Sequence, residues 1–120
     1  MAEAKVSDTW ERGNAYEKYV GRWSRQVAPA FLAWLQVPVG RRWLDGGCGT
    51  GALCAAIIDN CSPSSVVGVE PSQGFLRTAN ESLAGRADFR QGSATDIPLD
   101  DRAVDVVVSG LVLNFVAMSL

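Results

Sequence analysis

The chain of 120 residues contains no histidine. Without an imidazole there is no Ser-His-Asp or Cys-His machinery and no histidine general base. Any chemistry must therefore draw on carboxylates, hydroxyls or the reactivity of a bound cofactor. Cysteine is scarce: Cys48, Cys54 and Cys61 are odd in number, share one short segment and form no CxxC pair. That pattern speaks against a zinc site and for small, buried, reduced thiols. Neither charge is in strong excess, and a net charge of −2 gives no basic field for nucleic acid or an anionic membrane. Long hydrophobic runs are also missing. The most apolar stretch, "AVDVVVSGLVLNFVAM", is interrupted by Asp105, Ser109 and Asn114 and falls short of the ~20 residues of a membrane span. It reads as buried strand. The N-terminal "MAEAKVSDTWERGNAYEKYV" is polar and lacks the apolar centre of a signal peptide. The expectation is a cytoplasmic protein with no membrane span and no nucleic-acid partner.

What is present is enough apolar material, 48% of residues, for the core of one domain over residues 1–120. No internal repeat or low-complexity tract divides it. Residues 1–40 read as a helical leader. Tyr16, Val20, Trp23, Val27, Phe31, Trp34 and Leu35 recur at helical spacings, with Gly21 and Pro29 predicting more than one helix and "VPVG" a stop. From residue 41 the period changes. "RWLD" (42–45), "SVVGVE" (65–70), "ADFRQGS" (87–93) and "VDVVVSG" (104–110) read as strands. "TGALCAAIIDNC" (50–61) and "SQGFLRTANESLA" (72–84) read as helices. The second starts on an Ser72 N-cap and puts Phe75, Leu76, Ala79 and Leu83 on one face. Alternating strands and helices predict right-handed crossovers and a parallel α/β sheet, with ligands beyond the carboxyl ends of the strands.

The chemistry-bearing residues gather at those ends. In "RRWLDGGCGTGAL", Gly47, Gly49 and Gly51 permit positive φ and a close backbone approach. The helix that follows offers free N–H groups to a ligand. Asp45 can accept from an ammonium or ordered water. "GCGTGA" fits G-x-G-x-x-A as well as G-x-G-x-G, so a dinucleotide is admissible at this point, as is a ligand-free crossover. Glu70 closes the second strand 19 residues after Gly51, where a carboxylate meets a ribose diol and disfavours a 2′-phosphate.

Three blocks, "WLDGGCGTG", "VVGVEPSQGFLRTA" and "GSATDIPLDDRAVDVVVSGLVLNFV", resemble the class I S-adenosylmethionine-dependent methyltransferases. The resemblance is to the group allied to ubiquinone and menaquinone biosynthesis, and "YEKYVGRWSRQVAPAFLAWL" is similar to the leader some members carry. The resemblance implies a Rossmann-like three-layer fold, here cut after the fourth of its strands, and S-adenosylmethionine as cofactor with S-adenosylhomocysteine as product. It places Asp45, Gly47 and Gly49 by the methionine end and Glu70 on the ribose hydroxyls, with Cys48 also among the cofactor-binding residues. Pro71 and Ser72 would border the adenine on one side and Ala94 and Thr95 on the other, with Asp96 accepting from its amino group. Ser109 would lie beside the transferable methyl. Tyr16, Tyr19 and Trp23 would cap the cofactor or simply pack. Gly46, where the family has a branched apolar residue, implies a looser end to the first strand. The implied reaction is in-line methyl transfer to a small-molecule acceptor, with no metal and no residue singled out as catalytic. A non-catalytic nucleotide-binding or self-associating module, and an NAD-dependent oxidoreductase, remain as alternatives. The runs "VVV" and "LVL" predict a strand buried on both faces with its next neighbour missing. From this a homodimer is expected, through the strand-four edge or a swapped C-terminal segment.

Overall fold

The computed structural model describes residues 26–93 and 103–110. Residues 26–35 form helix α1, which stays helical across Pro29 and stops at Gln36, in the left-handed region at φ 55°. Strand β1 (Arg42–Gly46), helix α2 (Ala52–Cys61), strand β2 (Ser65–Glu70), helix α3 (Gln73–Leu83), strand β3 (Asp88–Gln91) and strand β4 (Val106–Val108) follow. The four strands make one parallel sheet in the order β3-β2-β1-β4. The chain moves outward from β1 through β2 to β3, and β4 then returns to the other flank of β1. This reversal puts a topological switch point at the carboxyl end of β1, where crevices form in such sheets.

Pleating sorts the side chains onto two faces. Trp43 and Val66 pack with Ala28 and Leu32 of α1, Leu53, Cys54, Ala56 and Ile57 of α2, and Leu83 of α3. The opposite face carries Leu44, Val67 and Val69, with Val104 against them. Both helical crossovers lie on the first face because β1, β2 and β3 advance in one direction and right-handed units stack on one side. Val107 is in register with Leu44 and so belongs to the second face, where it is 63% exposed. Among the described residues the strand expected to be buried on both sides is therefore covered on one only, and it pairs over three residues instead of the full 104–110. Phe75 also departs from its expected place on the buried stripe of α3: Ala79 and Leu83 are buried, whereas Phe75 is 45% exposed. It occupies the first turn of α3, next to the end of β2 in sequence. Gly46 does not fray the first strand, since pairing with β2 continues to Gly46 opposite Val69.

At the amino end of the sheet Arg42 and Asp105 form an ion pair. Asp105 accepts from the Arg42 backbone N–H at 2.8 Å, Nε at 3.2 Å and Nη2 at 3.0 Å, and its own N–H donates to the Arg42 carbonyl at 2.8 Å. Among the described residues no helix is long and apolar enough to cross a membrane.

Candidate functional site

The turn after β1 folds as its glycines require. Gly47, Gly49 and Gly51 have φ of 74°, 57° and 93°, values that side chains with a Cβ rarely adopt. The N–H groups of Gly47 and Cys48 both donate to the Val69 carbonyl, at 2.7 and 3.0 Å, which fastens the turn to the end of β2. Gly51 caps α2 with no side-chain bond, and a Cβ there would meet Leu83 and Ala79 at 3.2 and 3.3 Å. The glycine thus serves both the turn and the seating of α2 against α3.

Glu70 stands at the centre of this arrangement. One carboxylate oxygen accepts from the Gly49 N–H at 2.9 Å and the other from the Ser72 N–H at 3.0 Å. Its side chain thereby joins the glycine turn to the loop that starts α3, and it is 8% exposed. A carboxylate has about four lone-pair sites, so two remain for further donors. Ser72 does as its N-cap position predicts, its Oγ accepting from the Phe75 N–H at 3.2 Å. Pro71 is exposed beside it.

Asp45 plays a different part from the open acceptor expected for an ammonium. Its side chain is fully buried, with one oxygen taking the Gly110 N–H at 2.7 Å and the other facing the Cys54 thiol at 3.5 Å. Burial pushes its carboxyl up from the ordinary 3.8 to about 7; the bonds from Gly110 and Cys54 pull the other way, and the Glu70 charge adds to the rise. Cys54 is in turn pushed well above the usual thiol range, first by a hydrogen bond with Cys48, then by burial and by the Asp45 charge. Asp45 therefore anchors the residue that follows Ser109 and sets the end of β4 against the end of β1.

The structure thus gathers Asp45, Gly47, Cys48, Gly49, Glu70, Ser72 and Ser109 at one end of the sheet. Trp23, Ala94, Thr95 and Asp96, with Tyr16 and Tyr19, lie outside the described residues. Two contributors escaped the sequence. Cys54 reads there only as a small, buried, reduced thiol, and Gly110 as the end of a strand; no local pattern links either to Asp45. For a cofactor bearing a ribose diol, the donor set fits: a nearly buried carboxylate with spare acceptor sites adjoins a left-handed glycine turn and a helix N-terminus.

The family model described as "Methyltransferase domain" matches residues 44–119. The chain belongs to that family. It is 37% identical over 86 residues to a demethylmenaquinone methyltransferase of Clavibacter sepedonicus, an overlap of 70% of this chain and 31% of the relative. It is 36% identical over 94 residues to an uncharacterized methyltransferase of Mycobacterium tuberculosis, covering 78% of this chain and 36% of that one. The chain spans about a third of the length of these curated relatives. Among solved structures, the fold matches a putative S-adenosyl-L-methionine-dependent methyltransferase from Methanococcus maripaludis with a TM-score of 0.72 at 21% identity, over 90% of this chain and 54% of that one. Within the matched region lie the glycine turn, the Glu70 carboxylate and four parallel strands.

Proposed function

We propose that this chain is the cofactor-binding portion of an S-adenosylmethionine-dependent methyltransferase acting on a small-molecule acceptor. The observation that carries this reading is Glu70, strapped at the end of β2 by the Gly49 and Ser72 N–H groups with acceptor capacity to spare. Relatives named for methyl transfer to demethylmenaquinone support a small acceptor.

When bound, the cofactor supplies a sulfonium-activated methyl group, which needs no metal or general base to become electrophilic. The chain's residues bind and orient. Glu70 takes the ribose hydroxyls, and Gly47, Cys48 and Gly49 bring the backbone close to the methionine end. Pro71 and Ser72 border the base. Asp45 fixes the end of β4 through Gly110, and with it the position of Ser109. The assignments of Trp23 as a cap, of Ala94 and Thr95 to the far side of the base and of Asp96 to its amino group rest on the family resemblance alone. A cytoplasmic setting belongs to the same reading and is supported by three unpaired thiols, Cys48, Cys54 and Cys61. Self-association as a homodimer belongs to it too.

Isothermal titration of the 120-residue chain with S-adenosylmethionine, S-adenosylhomocysteine and NAD tests the assignment. Binding of both sulfur compounds without NAD is expected. NAD binding of equal strength would overturn it in favour of a dinucleotide enzyme.

A further inference from the structure

Residues 26–40 contain no Asp, Glu, Lys or Arg, in a chain where 20% of residues are charged. Much of this segment is nevertheless exposed. Gln26, Ala30, Ala33, Trp34, Gln36, Pro38, Val39 and Gly40 all face solvent, with Trp34 76% and Val39 73% exposed. A neutral helix carrying an exposed indole is unusual for a free surface, since tryptophan is enriched and charge depleted at the centres of interfaces. The indole is also held in place. It stacks on Phe31 with ring centroids 6.4 Å apart and planes 29° apart, which restricts its rotamers before any contact forms.

Beside this knob lies a hole. Leu32, Ala33, Gln36, Val37, Val39 and Cys61 line a cavity of about 240 Å³ between α1 and the end of α2. It exceeds the ~150 Å³ that accepts a benzene ring. Knob and hole on a single patch are what a two-fold interface needs, because each surface there must complement itself. Neutrality favours the same occupant. A two-fold contact sets each charge near its own copy, and a face with no charge meets no such repulsion.

The sheet edges are poorer candidates. β4 pairs over three residues, and the Arg42–Asp105 ion pair stands at its start. β3 carries Asp88 and Arg90, which are paired with each other at 2.8 Å. Short and charged edge strands are features that suppress strand-to-strand association.

We propose that two copies of this chain associate through the α1 face, the Trp34 indole of each seating in the cavity between α1 and the end of α2 of the other. The proposal rests on the self-association put forward above and moves its seat from the β4 edge to α1. The patch is smaller than the 20–30 residues of a standard interface side, so the dimer is weak and concentration-dependent.

Sedimentation equilibrium over a range of concentrations, with S-adenosylhomocysteine titration of the same samples, tests it. The wild-type chain should approach twice 12.8 kDa as concentration rises. Trp34→Lys and Ala33→Arg, both at exposed positions, should each raise the dimer dissociation constant at least ~10-fold. Val107→Lys should leave the constant unchanged. S-adenosylhomocysteine affinity should be the same in all four proteins, so that loss of the dimer and loss of the cofactor site are read separately. Dissociation by Val107→Lys but not by the α1 variants would overturn the α1 seat and restore the β4 edge. A wild-type chain that stays monomeric would overturn self-association itself. A monomer that co-sediments with phosphatidylcholine vesicles would do so too, and would assign the neutral face to a lipid surface.

Discussion

Asp45 and Asp105 lie at opposite ends of one parallel sheet, and the fold drives their carboxyl groups in opposite directions. Asp105, in water beside Arg42, is held down at about 2, first by the Arg42 side-chain bond and then by the Arg42 N–H. Asp45, sealed under the glycine turn, is pushed up to about 7 by burial. The two ends differ in what balances negative charge. At the amino end a guanidinium does so, and the result is a surface clasp. At the carboxyl end neither Asp45 nor Glu70 has an ion-pair partner among the described residues. Backbone N–H groups hold both carboxyls, which leaves Glu70 free to accept from a ligand. Buried carboxyl groups held without a cation mark a candidate site, while a paired carboxylate in water marks a fastening.

The largest effect is expected at Glu70. If Glu70 accepts from the ribose as proposed, Glu70→Ala should weaken S-adenosylhomocysteine binding by ~1.5–3 kcal/mol, roughly 10- to 150-fold. Titration calorimetry reads this directly, with circular dichroism confirming that the fold survives. Undiminished affinity in a folded variant would mean that Glu70 only fastens the two loops.

Gly68 offers the next largest effect. A Cβ there would sit 2.7 Å from Phe89 Cδ1 and 2.9 Å from Cys48 Sγ. Gly68→Ala must therefore move a ring on β3 or the thiol of the glycine turn, and should cost ~1–3 kcal/mol of stability in urea unfolding. If the thiol yields, cofactor affinity falls as well. If the ring yields, it does not. Wild-type stability would show that β3 shifts freely.

Much of this layout was legible in the sequence, for reasons that can be named residue by residue. β2 runs from Ser65 to Glu70, as the β-branched stretch before Pro71 predicts, and α2 and α3 follow their apolar spacing. Local pattern is sufficient there because one period and one stop signal define each element. Val107 and Trp34 were not legible. Three consecutive valines cannot reveal that both crossover helices lie on the other face, which depends on strand order. Trp34 fits the helical stripe that also contains Phe31, yet it points away from the core. In the site, Glu70 and the glycines have a spacing that announces them. The Asp45 bond to Gly110 joins residues 65 positions apart and leaves no local mark.

A smaller effect is expected on acid titration. Asp45 has a folded value above its unfolded one, so the folded state holds the proton more tightly. Its contribution to stability is complete below pH 3.8 and is lost as pH rises from there through about 7. Asp105 has a folded value below its unfolded one. Its contribution is present above pH 3.8 and is lost as pH falls through about 2. Thermal midpoints measured from pH 2 to 8 should accordingly show two limbs of opposite slope. Asp45→Asn, which keeps an acceptor for Gly110, should flatten the descending limb alone. Asp105→Asn should flatten only the ascending one. A descending limb that persists in Asp45→Asn would place that titration elsewhere.

The smallest effect is expected at Arg42. Its side chain and that of Asp105 are 46% and 32% exposed, so solvent screens the pair and exposed pairs contribute little. Arg42→Ala also leaves one fastening intact, because the residue 42 N–H still donates to Asp105 and the Asp105 N–H still donates to the carbonyl of residue 42. The variant should unfold at a slightly lower temperature than wild type, by less than Gly68→Ala. High salt should erase most of that difference. S-adenosylhomocysteine affinity should not change, since the whole length of β1 separates Arg42 from the glycine turn. A loss of affinity approaching that of Glu70→Ala would contradict the division between the two ends. It would mean that the clasp at the amino end sets the register of β4, and through Asp45 and Gly110 the shape of the crevice at the other.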